Sequence, residues 1–211
     1  YPEWAIRPEY ATQKSFFYHE VIRQVDIIRC PLFVPKPETL GFSKRIWHLM
    51  SFGITSCIAL FSQVTWKPDL VIAVVPTEVY LLPVLMLSWL TRSKKWLHIQ
   101  DFEIELALRV VAKKPSLGRI AISFQRRTYQ CFDVISTISQ TMLTKLRTEY
   151  KLDRDIYALP NWVDIADIIP TNDDGYYRKL LEIDQNQKVV LYSGNMGNKY
   201  ALLELGTTAR I

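Results

Sequence analysis

Residues 69–74 read Asp-Leu-Val-Ile-Ala-Val, and residues 95–99 read Lys-Trp-Leu-His-Ile. Each is a short, nearly continuous apolar run, and neither alternates apolar with polar positions. Strands buried on both faces of a parallel sheet need this kind of run. Further out, Phe132–Thr137 and Asp155–Leu159 have the same character, as do Val25–Cys30 and Lys188–Ser193. Between the runs lie Ser43–Val64, Thr77–Leu90, Glu103–Ala112, Leu117–Gln130 and Gln140–Tyr150, each long enough for a crossover helix. Pro83 falls near the start of the second of these, where a helix tolerates it. Strand and helix in alternation predict an α/β fold with a doubly wound parallel sheet.

The 211 residues are 49% hydrophobic and 22% charged, which fits a folded globular chain and excludes a disordered one. A net charge of +5 favours anionic partners such as phosphates or an anionic lipid surface. The basic residues come in pairs, Lys94-Lys95, Lys113-Lys114 and Arg126-Arg127, with no dense run and no zinc-finger spacing, which argues against nucleic acid as a partner. Cys30, Cys57 and Cys131 lie far apart in apolar surroundings and read as buried thiols of a reducing compartment. The stretch from Trp47 to Phe61 is apolar and almost uncharged, but Ser51, Gly53, Thr55 and Ser56 interrupt it. A spanning helix needs about 20 consecutive apolar residues, so a buried helix, or one touching lipid on one face, is the better expectation.

Loop chemistry, Pro170-Thr171-Asn172-Asp173-Asp174, follows Asp164. A short helix over Tyr176–Ile183 and a new strand then suggest that residues 1–165 form one domain and that 166–211 open a second. The second segment is too short to bury a core of its own. The chain begins Tyr1-Pro2-Glu3-Trp4 without Met and stops at Ala209-Arg210-Ile211 inside helix-like sequence, so both ends read as cut.

In a doubly wound sheet, ligands bind beyond the carboxyl ends of the strands. Four such places carry polar residues. Asp101 and Glu103 follow Leu97-His98-Ile99-Gln100; Asp101 either caps the next helix or contacts a sugar or acceptor hydroxyl. His98 reads as a core histidine. Ser139, after Ser136-Thr137-Ile138, is placed to cap the helix from Gln140. Asn161 and Asp164 sit in Pro160-Asn161-Trp162-Val163-Asp164, where a local turn is one reading. Ser193-Gly194-Asn195-Met196-Gly197-Asn198-Lys199 runs from a strand into a glycine-containing loop; its backbone N–H groups, with Lys199, suit a diphosphate. It is neither a Walker loop nor a full dinucleotide fingerprint. No paired-His, Cys–His or Ser–His–Asp pattern stands out.

Taken together, YPEW at the start, RCPLFVPK at 29–36, LHIQDFE at 97–103, STIS at 136–139, LPNWVD at 159–164 and LYSGNMGNK at 191–199 resemble one group. They look like the colanic acid biosynthesis glycosyltransferases of the WcaI type, among the family-4 retaining enzymes of GT-B fold. The resemblance implies two Rossmann-like domains facing across a cleft, the first holding the acceptor and the second a nucleotide sugar, with no metal and no further cofactor. By position, Gly194, Asn195, Gly197 and Lys199 would line the donor diphosphate. Asp101 and Glu103 would serve the reaction centre, and Ser139, Asn161 and Asp164 would lie at the interdomain cleft. It also implies a lipid-linked or oligosaccharide acceptor for exopolysaccharide synthesis at the cytoplasmic face of the plasma membrane. The family's first strand and its Gly-rich loop are absent, as is most of the donor domain, so the 211 residues alone are expected to be inactive. Tyr200-Ala201 also departs from the Gln-Gly usual after the lysine. An NAD-dependent sugar epimerase or dehydrogenase, and a non-catalytic membrane-associated scaffold, are the alternatives.

Overall fold

In a computed structural model, residues 16–35, 42–75, 78–102, 115–166, 175–184 and 186–192 are described. The chain divides into two compact units, Tyr1–Trp162 and Val163–Ile211. In the first unit the apolar runs become β3 (Leu70–Val75), β4 (Lys94–Ile99), β5 (Val134–Thr137) and β6 (Ile156–Ala158), following a hairpin of β1 (Tyr18–Ile22) and β2 (Val25–Arg29). Strands β3 to β6 pair side by side in that order, all parallel. This is the expected Rossmann-like α/β class. The strands step in one direction, with no reversal of order among the described residues.

Parallel neighbours must be joined by crossovers. Helix α1 (Phe42–Ser62) leads into β3, α2 (Leu81–Thr91) joins β3 to β4, α3 (Pro115–Tyr129) precedes β5, and α4 (Gln140–Thr148) joins β5 to β6. The expected helix over Glu103–Ala112 lies outside the described residues. A 3₁₀ turn, Glu78–Tyr80, opens α2.

The pairing register sorts the side chains. Ala73 pairs with Leu97, Leu97 with Ile135, and Ile135 with Ile156, so all four face the same way. On that face they bury against Leu81 and Val84 of α2, Tyr129 of α3, and Leu143 and Leu146 of α4. Burying each large apolar side chain contributes about 1.5–3 kcal/mol, which makes this layer the main source of stability. The opposite face carries Leu70, Ile72, Val74 and Tyr157, all exposed. The α3 to α4 layer thus lies on one side of the sheet, as right-handed crossovers between successive neighbours require.

Two expectations are corrected. Val25–Cys30 does form a strand, but it pairs antiparallel with β1 in a separate hairpin and not in the parallel sheet. Its turn residues, Arg23 and Gln24, both have positive φ (49° and 66°), the left-handed geometry of a tight two-residue hairpin loop. Neither is the Gly or Asn that usually signals such a turn, so β1 escaped the sequence. The second correction concerns the strand expected over Lys188–Ser193. Residues 188–192 form no strand, and Val190 is 92% exposed. A strand exists only through a ladder to a neighbour, and none pairs here among the described residues. In this second unit α5 (Tyr176–Leu180) matches the start of the helix expected from Tyr176.

Polar contacts dock the segment after β2 onto α1. The Phe33 amide donates to Ser51 Oγ (2.8 Å), and Thr55 Oγ1 donates to the Pro31 carbonyl (2.7 Å). His48 Nδ1 lies 2.5 Å from the Phe33 carbonyl oxygen. The serine and threonine that interrupt the apolar run of α1 are therefore the groups that hold this neighbour.

Close approach fixes Gly53. A Cβ there would stand 2.3 Å from Val79 Cγ1 in the 3₁₀ turn. Replacing glycine by alanine inside a helix gains at most about 1 kcal/mol, whereas forcing a methyl group into a packed contact costs about 1–3 kcal/mol. Gly53→Ala is therefore expected to lower stability by about 1–2 kcal/mol in urea unfolding, the reverse of its effect on an isolated helix.

Candidate functional site at the carboxyl edge of the sheet

The carboxyl ends of β3, β4 and β5 share one edge, and the loops leaving them carry the polar residues. Ile99 pairs with Thr137, so Asp101 and Ser139 each stand two residues beyond matched positions on adjacent strands. Asp101 is exposed, and its Oδ1 accepts the Phe102 amide (2.8 Å), which orients the carboxylate in the loop. Ser139 has extended backbone geometry and its Oγ accepts the Met142 amide (3.2 Å). This is the N-cap expected for α4. Asn161 is exposed in the loop after β6. In the second unit, Asp164 Oδ1 accepts the Ala166 amide (2.9 Å), a local turn. Glu103, Gly194, Asn195, Gly197 and Lys199 lie outside the described residues.

Under this edge lies a buried polar cluster that the motif reading did not single out. Glu78 follows β3 and is buried. Its Oε1 accepts Gln125 Nε2 (2.7 Å) and Tyr129 Oη (2.9 Å). Tyr150 Oη donates to Gln125 Oε1 (3.3 Å). Burial, then the Glu78 charge and hydrogen bond, hold the Tyr129 phenol protonated far above the usual tyrosine range. Tyr80 is pushed up to about 12 by burial and by the charge on Glu78. An aromatic layer closes the cluster toward β4: Tyr150 stacks on Tyr129 at 5.9 Å and on Phe102 at 5.4 Å between centroids. Lys145 Nζ sits 4.9 Å over the Phe102 ring. The sequence did hold a signal, since Glu78 is the only acidic residue between Asp69 and Asp101 and it comes three residues after β3.

A second buried network lies on the opposite face of the sheet. Trp96 Nε1 donates to Ser136 Oγ (2.7 Å), and His98 Nδ1 is 2.8 Å from the same oxygen. Burial lowers the His98 pKa from its ordinary 6.5, so the ring is neutral at physiological pH. The Ser136 hydroxyl, already accepting from Trp96, then donates to Nδ1. Ser136 is 1% exposed, which removes it from consideration as a nucleophile. Both residues pin β4 to β5 and are structural, in line with the core-histidine expectation.

At the amino edge, the Lys95 amide donates to Asp133 Oδ2 (2.8 Å), with Lys95 Nζ 3.4 Å from the same oxygen. Burial alone would raise the Asp133 carboxyl, but the Lys95 amide and ammonium, with Lys94 nearby, hold it below the usual carboxylate value. The three cysteines are free, and Cys131 is exposed rather than buried as expected, with Sγ donating to the Arg127 carbonyl at 3.3 Å. Among the described residues no three His, Cys, Asp or Glu side chains converge as metal ligands. No described helix is long and apolar enough to cross a membrane.

No family model matches this sequence. Over 209 residues it is 34% identical to an Escherichia coli protein named as a colanic acid biosynthesis glycosyl transferase, WcaI. The match covers 96% of this chain and 50% of that relative, so the chain spans about half the length of the protein it matches.

Two outcomes are expected from this geometry. Tyr129→Phe deletes a hydrogen bond to a buried carboxylate and should cost about 1.5–3 kcal/mol in denaturant unfolding. His98 is harder to protonate folded than unfolded, so the unfolded chain takes up the proton first as pH falls. The stability that His98 gives is present above about 6.5 and declines as pH drops through that value. Urea midpoints from about pH 7.5 to 5 should show this decline, and His98→Asn should flatten it.

Proposed function

We propose that the protein containing this chain is a retaining glycosyltransferase that moves a sugar from a nucleotide diphosphate donor to a lipid-linked acceptor in exopolysaccharide synthesis. The observation that carries the proposal is the 209-residue likeness to a protein named as a glycosyl transferase. A parallel α/β sheet with polar loops at its carboxyl edge supports it, because ligands of such sheets bind there.

In this reading residues 1–165 form the acceptor side and residues 166–211 open the donor side. Asp101 is exposed beyond β4 and offers a carboxylate to an acceptor or sugar hydroxyl. Glu103, two residues on, adds a second one. Ser139, Asn161 and Asp164 border the cleft. The amides of Gly194, Asn195 and Gly197, with the Lys199 ammonium, receive the donor diphosphate. As the bond from the anomeric carbon to the diphosphate breaks, negative charge builds on the departing phosphate. Lys199 and the loop amides meet that charge, and no metal is required. The acceptor oxygen bonds to the same carbon with configuration kept, and its proton passes to the departing diphosphate oxygen. Glu78 and its partners act from beneath, setting the loop after β3 against α3.

Incubating the full-length protein with a panel of nucleotide sugars and lipid-linked acceptors tests this proposal. Transfer from at least one donor is expected; a folded protein that neither transfers sugar nor binds a nucleotide would sink the reading. Lys199→Ala should weaken donor binding by about 10- to 100-fold, the worth of a charge-assisted hydrogen bond. Unchanged affinity would remove Lys199 from the diphosphate site.

A further inference from the structure

Asp101 is held from both sides along the chain. Before it, the Gln100 amide donates to the Val75 carbonyl (3.1 Å), so the pairing of β4 with β3 runs on to the residue that precedes the carboxylate. After it, Phe102 is half-buried and packs against the core of the first unit. Its ring stacks on Tyr150, at 5.4 Å between centroids and 22° between planes, and Lys145 Nζ lies 4.9 Å from its centroid. Asp101 itself is exposed, and its Oδ1 accepts the Phe102 amide (2.8 Å). An exposed carboxylate thus stands between two anchored neighbours and is hydrogen-bonded to one of them.

The second anchor comes from another crossover. Lys145 lies in α4 and Tyr150 two residues beyond it, on the way from β5 to β6. Tyr150 is buried, stacks on Tyr129, and donates through Oη to Gln125 Oε1 (3.3 Å). Gln125 and Tyr129 in turn donate to Glu78 Oε1. The loop after β4 is therefore tied, through one phenyl ring, to the buried network that also holds the turn after β3. A side chain needed only to fill the core could sit within β4. Phe102 stands just past the strand, in the loop that ligands of a parallel sheet meet. A binding group fixed before its ligand arrives need not be ordered on binding, and a displacement of about 1 Å can lower a rate about 100-fold.

We infer that Phe102 is a positioning residue, clamped by Tyr150 and Lys145, that holds the Asp101 carboxylate where it meets an acceptor or sugar hydroxyl. This rests on the transferase reading above, in which Asp101 makes that contact. The test measures sugar transfer and donor affinity in the full-length protein for Asp101→Asn, Phe102→Ala, the two combined, and Phe102→Tyr. Asp101→Asn and Phe102→Ala should each lower kcat/KM for the acceptor by about 10- to 100-fold, with donor affinity kept within about twofold. Combined, they should lose little more than Asp101→Asn alone, because Phe102 acts only through its neighbour. Phe102→Tyr keeps the stacked ring and should recover most of the parent rate. Circular dichroism identifies variants that remain folded, and Phe102→Leu, apolar but without the ring, takes the place of an alanine variant that does not. Losses that multiply in the double variant overturn the positioning role and leave the transferase reading standing. So does a Phe102→Tyr variant as impaired as Phe102→Ala, or a donor affinity that falls in parallel with the rate. Full activity in Asp101→Asn removes Asp101 from the site and the positioning role with it. A folded parent protein that neither transfers sugar nor binds nucleotide brings down the transferase reading itself, and this inference with it.

Discussion

Parallel strands cannot be joined by tight turns, and that constraint organises the first unit of this chain. Each step from β3 to β6 needs a crossover, and right-handed crossovers between successive neighbours set their helices on a single face. The register then decides which side chains meet those helices. Ala73, Leu97, Ile135 and Ile156 fall in line and make the core with α2, α3 and α4. All the loops leaving the strands at their carboxyl ends emerge together, so the same constraint that builds the core collects the polar residues on one edge.

Burying polar groups near that edge is made tolerable by the hydrogen bonds they exchange. Glu78 would be costly in an apolar core, but it receives Gln125 and Tyr129 and sits behind the stacked rings of Tyr150 and Phe102. On the other face, Trp96, Ser136 and His98 meet the same requirement with neutral groups. The two networks hold neighbouring elements in fixed relation, β3 to α3 in one case and β4 to β5 in the other. Loops that must present side chains to a ligand gain from such rigid support.

The chain's outer surfaces show a different economy. Helix α1 uses Ser51 and Thr55 to hold the segment after β2, turns Gly53 toward Val79, and leaves Trp47, Met50, Ile54 and Ile58 outward. Helix α2 does likewise with Met86 and Trp89. The apolar run from Trp47 to Phe61 packs on one side and leaves Trp47, Met50, Ile54 and Ile58 exposed on the other.

By itself the sequence determined the α/β class, four parallel strands to within a residue or two, and four helices, because long apolar runs and intervening segments of crossover length leave little choice. It also placed the Ser139 cap and a core role for His98, both dictated by residues close by. Tertiary structure alone decided what depends on distant partners. The hairpin of β1 and β2 turns on two left-handed residues whose types do not announce it, and the apolar stretch at 188–192 is no strand where nothing pairs with it. Glu78 became a buried hub because α3 brings Gln125 and Tyr129, about fifty residues away, to its carboxylate. Hydrogen bonding between distant residues leaves no period in a sequence, whereas burial of whole segments does.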